Sequence, residues 1–364
     1  MSTTDNNTIK AISLFSGMGG DSYGIKKAGL ILEAYSEKEK KFRETHDLNF
    51  PNCQILGNNV NSDILKINDD EFKKYKGSVN LIFAGFPCQG FSTAGKKKGN
   101  DPRNSLFKEF VRCAKLIEPD VIIGENVKGL LSRKTDSGEN YINVIKEEFE
   151  KLNYSVIFKV FKCHEYGIPQ KRERLIILGI KTAKLGNYNL SFPEPSNEPN
   201  DLLNIIKFNM TRAMKISNQL FESLNIPDEC ILKDLNNEET ENNPHPYLKS
   251  KVMATGDNLK YKDKEYSNLF SFSKRDSPIH CEVIDIRNPS KTIICTYEHQ
   301  PRLFVPLKNK NGYFLRSILS DELKQIQGFP ANFQVYGNEK EKIIQIGNAA
   351  PPLLIEKIIK HIIL

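Results

Sequence analysis

The stretch AGFPCQGFSTAGKKKG (84–99) sets one thiol, Cys88, in a Gly-Phe-Pro-Cys turn directly after an apolar run, with three consecutive lysines close behind. Such a cysteine admits three readings: a small buried hydrophobe, a metal ligand, or a nucleophile activated near a helix N-terminus. Two further groups bear on the choice. Glu125 and Asn126 end the run DVIIGEN (120–126), and an acid at the end of a buried strand needs a chemical reason. In QKRER (170–174), Gln170, Arg172 and Arg174 alternate, so an extended chain projects all three from one face. Two arginines on one face suit a phosphate or a carboxylate. Metal ligation lacks partners, because no CxxC pair occurs and no His stands at zinc spacing from a second Cys. No metal site is expected.

A second constellation is LFSGMGGDSYG (14–24), where an apolar run enters Gly17, Gly19 and Gly20 and then a helical stretch. Glycines there let backbone approach a bound group closely, although they also serve helix–strand packing. The spacing is not the G-x-G-x-x-G of dinucleotide sites, and no G-K-[ST] follows to make a phosphate loop. Glu37, ending the next apolar run, sits where such a sheet binds a ribose diol, and Asp63 could accept from an adenine amino group. Together these suggest a nucleoside-bearing cofactor without a pyrophosphate, which S-adenosylmethionine fits.

The elements that must hold these residues follow from the patterning. KAISLF (10–15), LILEAYS (30–36), VNLIFAG (79–85) and DVIIGEN read as strands. SYGIKKAGL reads as a helix stopped by Gly29, and SLFKEFVRCAKLIE (105–118) as an amphipathic helix. Strands at this spacing with helices between them predict βαβ units and a parallel sheet. YSVIFKVFKC (154–163) and ERLIILGI (173–180) are expected to form an antiparallel excursion off that sheet. Beyond SFPEPSNEPN (191–200), Pro, Asn and charge crowd the chain to about 265, and DLNNEETENNPHP (234–246) reads as a surface loop. Order returns with NPSKTIICTY (288–297), a helix start at Ser320 and Asp321, and an apolar helix at the end of the chain.

The chain has 364 residues, 39% of them hydrophobic, enough for a large α/β unit with a smaller one. A formal charge of +7 suits a polyanionic partner. Seven scattered cysteines form no disulfide framework, and neither a signal peptide nor an 18-residue apolar run occurs, so a cytosolic protein with no membrane association is expected.

The order of FSGMGG, GFPCQGFS, ENV, QKRER, QGFP and GNAAPP resembles the cytosine-C5 DNA methyltransferase family over residues 9–195 and 285–364. The resemblance implies a Rossmann-like, S-adenosylmethionine-dependent α/β sheet in residues 1–195, completed by 336–364, with a smaller, variable target-recognition domain over 196–335. It implies a DNA (cytosine-5)-methyltransferase acting on a flipped-out cytosine in a specific sequence of double-stranded DNA. Cys88 would add to cytosine C6, Glu125 would bond or protonate N3, Asn126 would orient that acid, and Arg172 with Arg174 would hold the base. For the cofactor it carries over Phe15, Gly17 and Gly19 near the methionine moiety, Glu37 at the ribose, and Asp63 with Ile64 at the adenine. Pro87 and Asn348 would close that pocket. Lys96, Lys97 and Lys98, flanked by Gly95 and Gly99, would meet DNA phosphates on a closing loop, with Gln170 also on the DNA.

Two positions depart from the family pattern. Lys38 stands where many members carry an aromatic residue on adenine, and Ala350 where Val is more usual. Two other readings compete: a tRNA cytosine methyltransferase, whose relatives carry a short insert with a Cys-Phe-Thr signature absent here, and a catalytically silent binder, which has no need of Cys88 or Glu125. The resemblance further implies the modification half of a restriction–modification system, with a cognate endonuclease acting separately, and a monomer at the nucleoid in bacterial cytoplasm. Lys274, Arg275, Arg287 and Arg302 are candidate DNA contacts.

Overall fold

The computed structural model describes residues 8–58, 62–87, 106–135, 137–196, 198–224, 226–234, 243–249, 269–270, 281–299 and 301–363. The first half alternates strands and helices: β1 (Lys10–Leu14), α1 (Gly20–Lys27), β2 (Ile31–Ser36), α2 (Lys40–Asn49), β3 (Gln54–Ile55), α3 (Asp69–Lys73), β4 (Leu81–Ala84), α4 (Leu106–Ile117) and β5 (Val121–Asn126). Then come α5 (Tyr141–Glu150), β6 (Tyr154–Lys162), β7 (Gln170–Lys171) and β8 (Glu173–Lys181). Seven strands form one sheet in the order β3-β2-β1-β4-β5-β8-β6. Here the structure corrects an expectation. β6 and β8 are not an excursion off the sheet but its edge, β8 running antiparallel between β5 and β6. The hairpin-like link through residues 163–172 brings β8 back beside β5, whose edge would otherwise lie open.

The sheet is buried on both faces, as its short apolar runs require. Ala11, Leu81, Phe83, Val121, Ile123, Ile176 and Leu178 face one core, which also holds Met18 and Ile25. Their neighbours Ile12, Leu14, Ile82, Ala84, Ile122, Leu175 and Ile177 face the other, against Phe110, Cys113 and Phe149. Successive side chains thus alternate between the two cores, as strand geometry dictates.

The second half holds β9 (Met214–Ile216), α6 (Asn218–Ser223), β10 (Leu232–Lys233), β11 (Leu269–Phe270), β12 (Cys281–Val283), β13 (Ser290–Lys291), β14 (Leu303–Asn309) and β15 (Gly312–Ser317). Six of these strands form a second sheet, β11-β12-β14-β15-β9 with β10 also on β14, while β13 pairs in parallel with β7. Three helices end the chain: α7 (Ser320–Ile326), α8 (Glu339–Asn348) and α9 (Pro352–Ile362). The expected boundary at residue 335 needs correction. Phe333 packs edge-on against Tyr23 and Phe50, and Leu323 and Ile326 share the core of the large sheet, so residues 320–335 sit with the first unit. Residues 235–242 of the expected surface loop lie outside the described residues. Among the described residues no helix is long and apolar enough to cross a membrane.

Candidate active site at the carboxyl edge of the large sheet

Strand order reverses between β1 and β4, and an open α/β sheet leaves a crevice beyond its carboxyl ends at such a point. β1 delivers the glycine turn there. Phe15, Gly17 and Gly19 all take positive φ, +55°, +56° and +96°. For Phe15 that is a strained conformation, which its N–H contact to Ser36 Oγ (3.4 Å) and the adjacent Ser16 N–H to Ser36 O (3.0 Å) help to hold.

The Glu37 carboxylate ties the turn to the exit of β2. Its Oε2 accepts from Gly17 N–H at 2.8 Å, and its Oε1 from Glu39 N–H at 2.8 Å. Burial pushes this carboxyl above the usual range, and the two backbone N–H groups oppose the push. Asp63 accepts from Leu65 N–H at 3.2 Å at the start of the Ile64–Lys66 turn, and Lys38 Nζ lies 3.3 Å from its carboxylate. Ile64 is buried beside it. An ammonium paired to Asp63 therefore stands directly after Glu37.

The far side of the crevice carries an acid and a base. Arg174 Nε lies 2.6 Å from Glu125 Oε1, both side chains being only 12–13% exposed. Burial holds Glu125 above the usual carboxylate range, and the guanidinium only partly offsets it. Gly85, just past β4, joins the halves: a Cβ there would lie 3.6 Å from Phe15 O and 3.9 Å from Glu125 Oε2. The glycine turn and the Glu125–Arg174 pair thus meet across one backbone position.

Three expected roles do not match the geometry. Asn126 does not touch the Glu125 carboxylate, because neighbouring side chains on a strand point to opposite faces. Its Nδ2 donates to Phe86 O at 3.1 Å, and its Oδ1 accepts from Val127 N–H at 2.9 Å, so it fixes the turn leading to Pro87. Gln170 is fully buried and offers DNA nothing: Nε2 donates to Gln327 Oε1 at 2.6 Å, and Oε1 accepts from Ile293 N–H at 3.0 Å. Arg172 is buried too and donates to Ile293 O (3.2 Å), Gly347 O (3.1 Å) and Ala349 O (3.2 Å), away from Arg174. The chain breaks between β7 and β8, with Arg172 N–H on Gln170 O at 2.8 Å, so the alternating residues do not share a face.

Pro87 is half-buried at the end of the described turn, while Cys88, Gly95, Lys96, Lys97, Lys98 and Gly99 lie outside the described residues. So do Lys274 and Arg275. Arg287 is exposed and paired with Asp285 (2.9 Å) and Glu229 (2.8 Å). Asn348 is exposed at the end of α8, and the turn behind it folds onto α1: a Cβ on Gly20 would lie 2.1 Å from Ala350 O.

Two supports of the site carry no motif. Arg43 on α2 donates to the carbonyls of Glu37 (2.9 Å) and Lys38 (2.5 Å) and so fixes the Glu37 loop. Asp21, at the start of α1, is buried under the turn with Ser13 and Ser16 donating to it, and burial raises it to about 7. Ser22 links Ser16 (2.9 Å) to His46 Nε2 (2.9 Å), an imidazole that burial lowers to about 3. A helix start alone explains an Asp in the first turn of α1, so nothing in the sequence marks its burial.

The family model described as C-5 cytosine-specific DNA methylase matches residues 9–364. The chain belongs to this family. As a cytosine-C5 DNA methyltransferase it uses S-adenosylmethionine and acts on DNA. It is 30% identical to the Type II methyltransferase M1.HphI of Haemophilus parahaemolyticus, covering 98% of this chain and 87% of that one. It is 28% identical to the Type II methyltransferase M.DdeI of Desulfomicrobium norvegicum, covering 97% and 88%. Neither the family nor these relatives favour the tRNA-directed alternative. Among solved structures, a DNMT2 variant of Spodoptera frugiperda superposes with a TM-score of 0.62 at 18% identity over 96% of this chain and 98% of that one. The methyltransferase EhMeth of Entamoeba histolytica gives 0.59 at 16% identity over 96% of each chain. Those two likenesses concern the fold.

Proposed function

We propose that this methyltransferase divides its crevice between a cofactor half, formed by Phe15, Gly17, Gly19, Glu37, Asp63, Ile64, Pro87 and Asn348, and a cytosine half, formed by Cys88, Glu125 and Arg174. The observation that carries this reading is the meeting of the glycine turn and the Glu125–Arg174 pair across Gly85. The residues fit an adenosyl cofactor. A Cβ on Gly17 would meet Phe42 Cδ1 at 3.9 Å and no other described atom within 4 Å, so the turn leaves room, and the Glu37 carboxylate beside it suits a diol. When bound, S-adenosylmethionine supplies an electrophilic methyl group.

Cytosine C5 is a poor nucleophile until a thiolate has added to C6. Cys88 forms that Sγ–C6 bond while Glu125, a carboxyl whose hold on a proton burial strengthens, bonds or protonates N3 and so takes up the charge of the ring. The Arg174 guanidinium holds the Glu125 carboxyl in place. After methylation at C5, a base removes the C5 proton, the C6–Sγ bond breaks, and the thiolate of Cys88 is regenerated. C6 is inaccessible in a stacked duplex, so the base is flipped out, and Lys96, Lys97 and Lys98 bind backbone phosphates as the loop closes. Residues 196–319 choose the sequence. We place the enzyme in bacterial cytoplasm as a monomer, the modification half of a restriction–modification system whose endonuclease acts separately.

The test is incubation with S-adenosylmethionine and either duplex DNA or tRNA, followed by bisulfite mapping of 5-methylcytosine. Duplex-specific product in one flanking context is expected, and tRNA product alone would refute the reading. Cys88→Ala should abolish transfer while DNA retention on a gel persists; turnover in that variant would remove Cys88 from the mechanism.

A further inference from the structure

The pair Pro351–Pro352 ends α8 and starts α9, and the last carbonyls of a helix have no partners within it. Here those partners come from far along the chain. Arg172 Nη2 donates to both Gly347 O and Ala349 O, and Gln327 Nε2 donates to Ala349 O at 2.6 Å. The same guanidinium turns its Nη1 to Ile293 O, whose own N–H is held by Gln170, and Gln170 closes the circuit on Gln327. Arg172 is 1% exposed, its Nε has no partner, and no carboxylate neutralises it among the described residues. A buried cation so placed is tolerated because the negative end of α8 and three carbonyls surround it.

A second contact joins the same segments without Arg172. A Cβ on Gly347 would lie 2.5 Å from Cys295 N, so the backbone of α8 rests directly on the 294–295 peptide. One end of this seam is therefore the 347–350 turn, which carries Asn348 and lies against Gly20. The other end is the segment 290–295, which pairs with β7 and leads through Tyr297 into β14 of the small sheet.

We propose that Arg172 is a positioning residue that couples occupancy of the cofactor turn to the segment 293–295 entering the target-recognising unit. This rests on the reading of Asn348 and the glycine turn as the cofactor pocket. A ligand that orders 347–350 fixes two carbonyls on Arg172, and the planar guanidinium then fixes the third, on Ile293. Lys at this position has all its donors on one atom and loses the two-ended grip of the guanidinium, Nη1 on Ile293 O and Nη2 on the 347–349 carbonyls.

The experiment is amide hydrogen exchange of the full chain with and without S-adenosylhomocysteine, alongside calorimetry of its binding. In wild type the ligand is expected to slow exchange in peptides over both 345–350 and 291–297, by about 5-fold or more, the lower end of ordinary coupling. In Arg172→Lys the first segment should still slow while the second stays within about 2-fold of the free protein. Equal slowing of 291–297 in wild type and Arg172→Lys overturns the proposal, as does no slowing there in wild type. A wild-type protein that does not bind S-adenosylhomocysteine strikes the pocket reading itself, and the coupling falls with it. Should Arg172→Lys not fold, Arg172→Gln, which is neutral and has its donors on one nitrogen only, decides by the same criteria.

Discussion

Asp21 gives the sharpest quantitative test of how the site is built. Its carboxyl is 3% exposed, and burial raises it from 3.8 to about 7, against the opposing Ser13 hydroxyl and Ser22 backbone N–H. The folded protein therefore keeps a proton between pH 3.8 and about 7 that the unfolded chain releases. Stability is fully present below the lower value and is lost as pH rises through the upper one, at up to about 1.4 kcal/mol per pH unit. Integrated, the stability lost relative to acid pH is about 1.7 kcal/mol at pH 5, where only the unfolded chain has ionised, and about 4 kcal/mol at pH 8. Asp21→Asn keeps an oxygen to accept from Ser13 and an amide to donate to Ser16, and it does not titrate. His46, lowered to about 3, stays neutral across this window, so it does not confuse the comparison. The stability difference between Asp21→Asn and wild type, from urea unfolding, should grow in favour of the variant by about 2.5 kcal/mol between pH 5 and pH 8. A difference that is constant across those pH values, or that moves the other way, would refute the placement of a neutral acid under the glycine turn.

Other consequences are more local. Arg174→Met removes the charge that favours ionised Glu125, so the carboxyl rises further and the alkaline limb of the kcat/KM profile for methyl transfer should move to higher pH, on a lower plateau; an unmoved limb would dissociate Glu125 from proton transfer. Gly20→Ala drives a methyl to 2.1 Å from Ala350 O, a backbone atom that cannot swing aside. It should cost about 1–3 kcal/mol in thermal or urea unfolding and weaken S-adenosylhomocysteine binding in calorimetry, whereas full affinity would separate the 347–350 turn from the pocket.

What was legible in the sequence was local. The short apolar runs in KAISLF, VNLIFAG and DVIIGEN become strands buried between two cores, and the ends of the apolar runs become the crevice edge with Glu37 and Glu125 upon it. The failures are equally specific. Reading QKRER as one extended strand put Gln170, Arg172 and Arg174 on one face, but the backbone turns on itself at Arg172 and sends each elsewhere. Gln170 bonds a side chain 157 positions away and Arg172 bonds carbonyls 121, 175 and 177 positions away. No window of local sequence contains those partners. The same residue types that recognise a phosphate, a planar guanidinium with a carboxamide beside it, also satisfy helix-end carbonyls, and only the fold decides between the two uses. What decides here is the double proline: by ending α8 in the interior it creates buried acceptors that would otherwise be unpaired, and a buried arginine becomes less costly than leaving them so. Arg174, two residues on, faces the Glu125 carboxylate at the crevice edge instead.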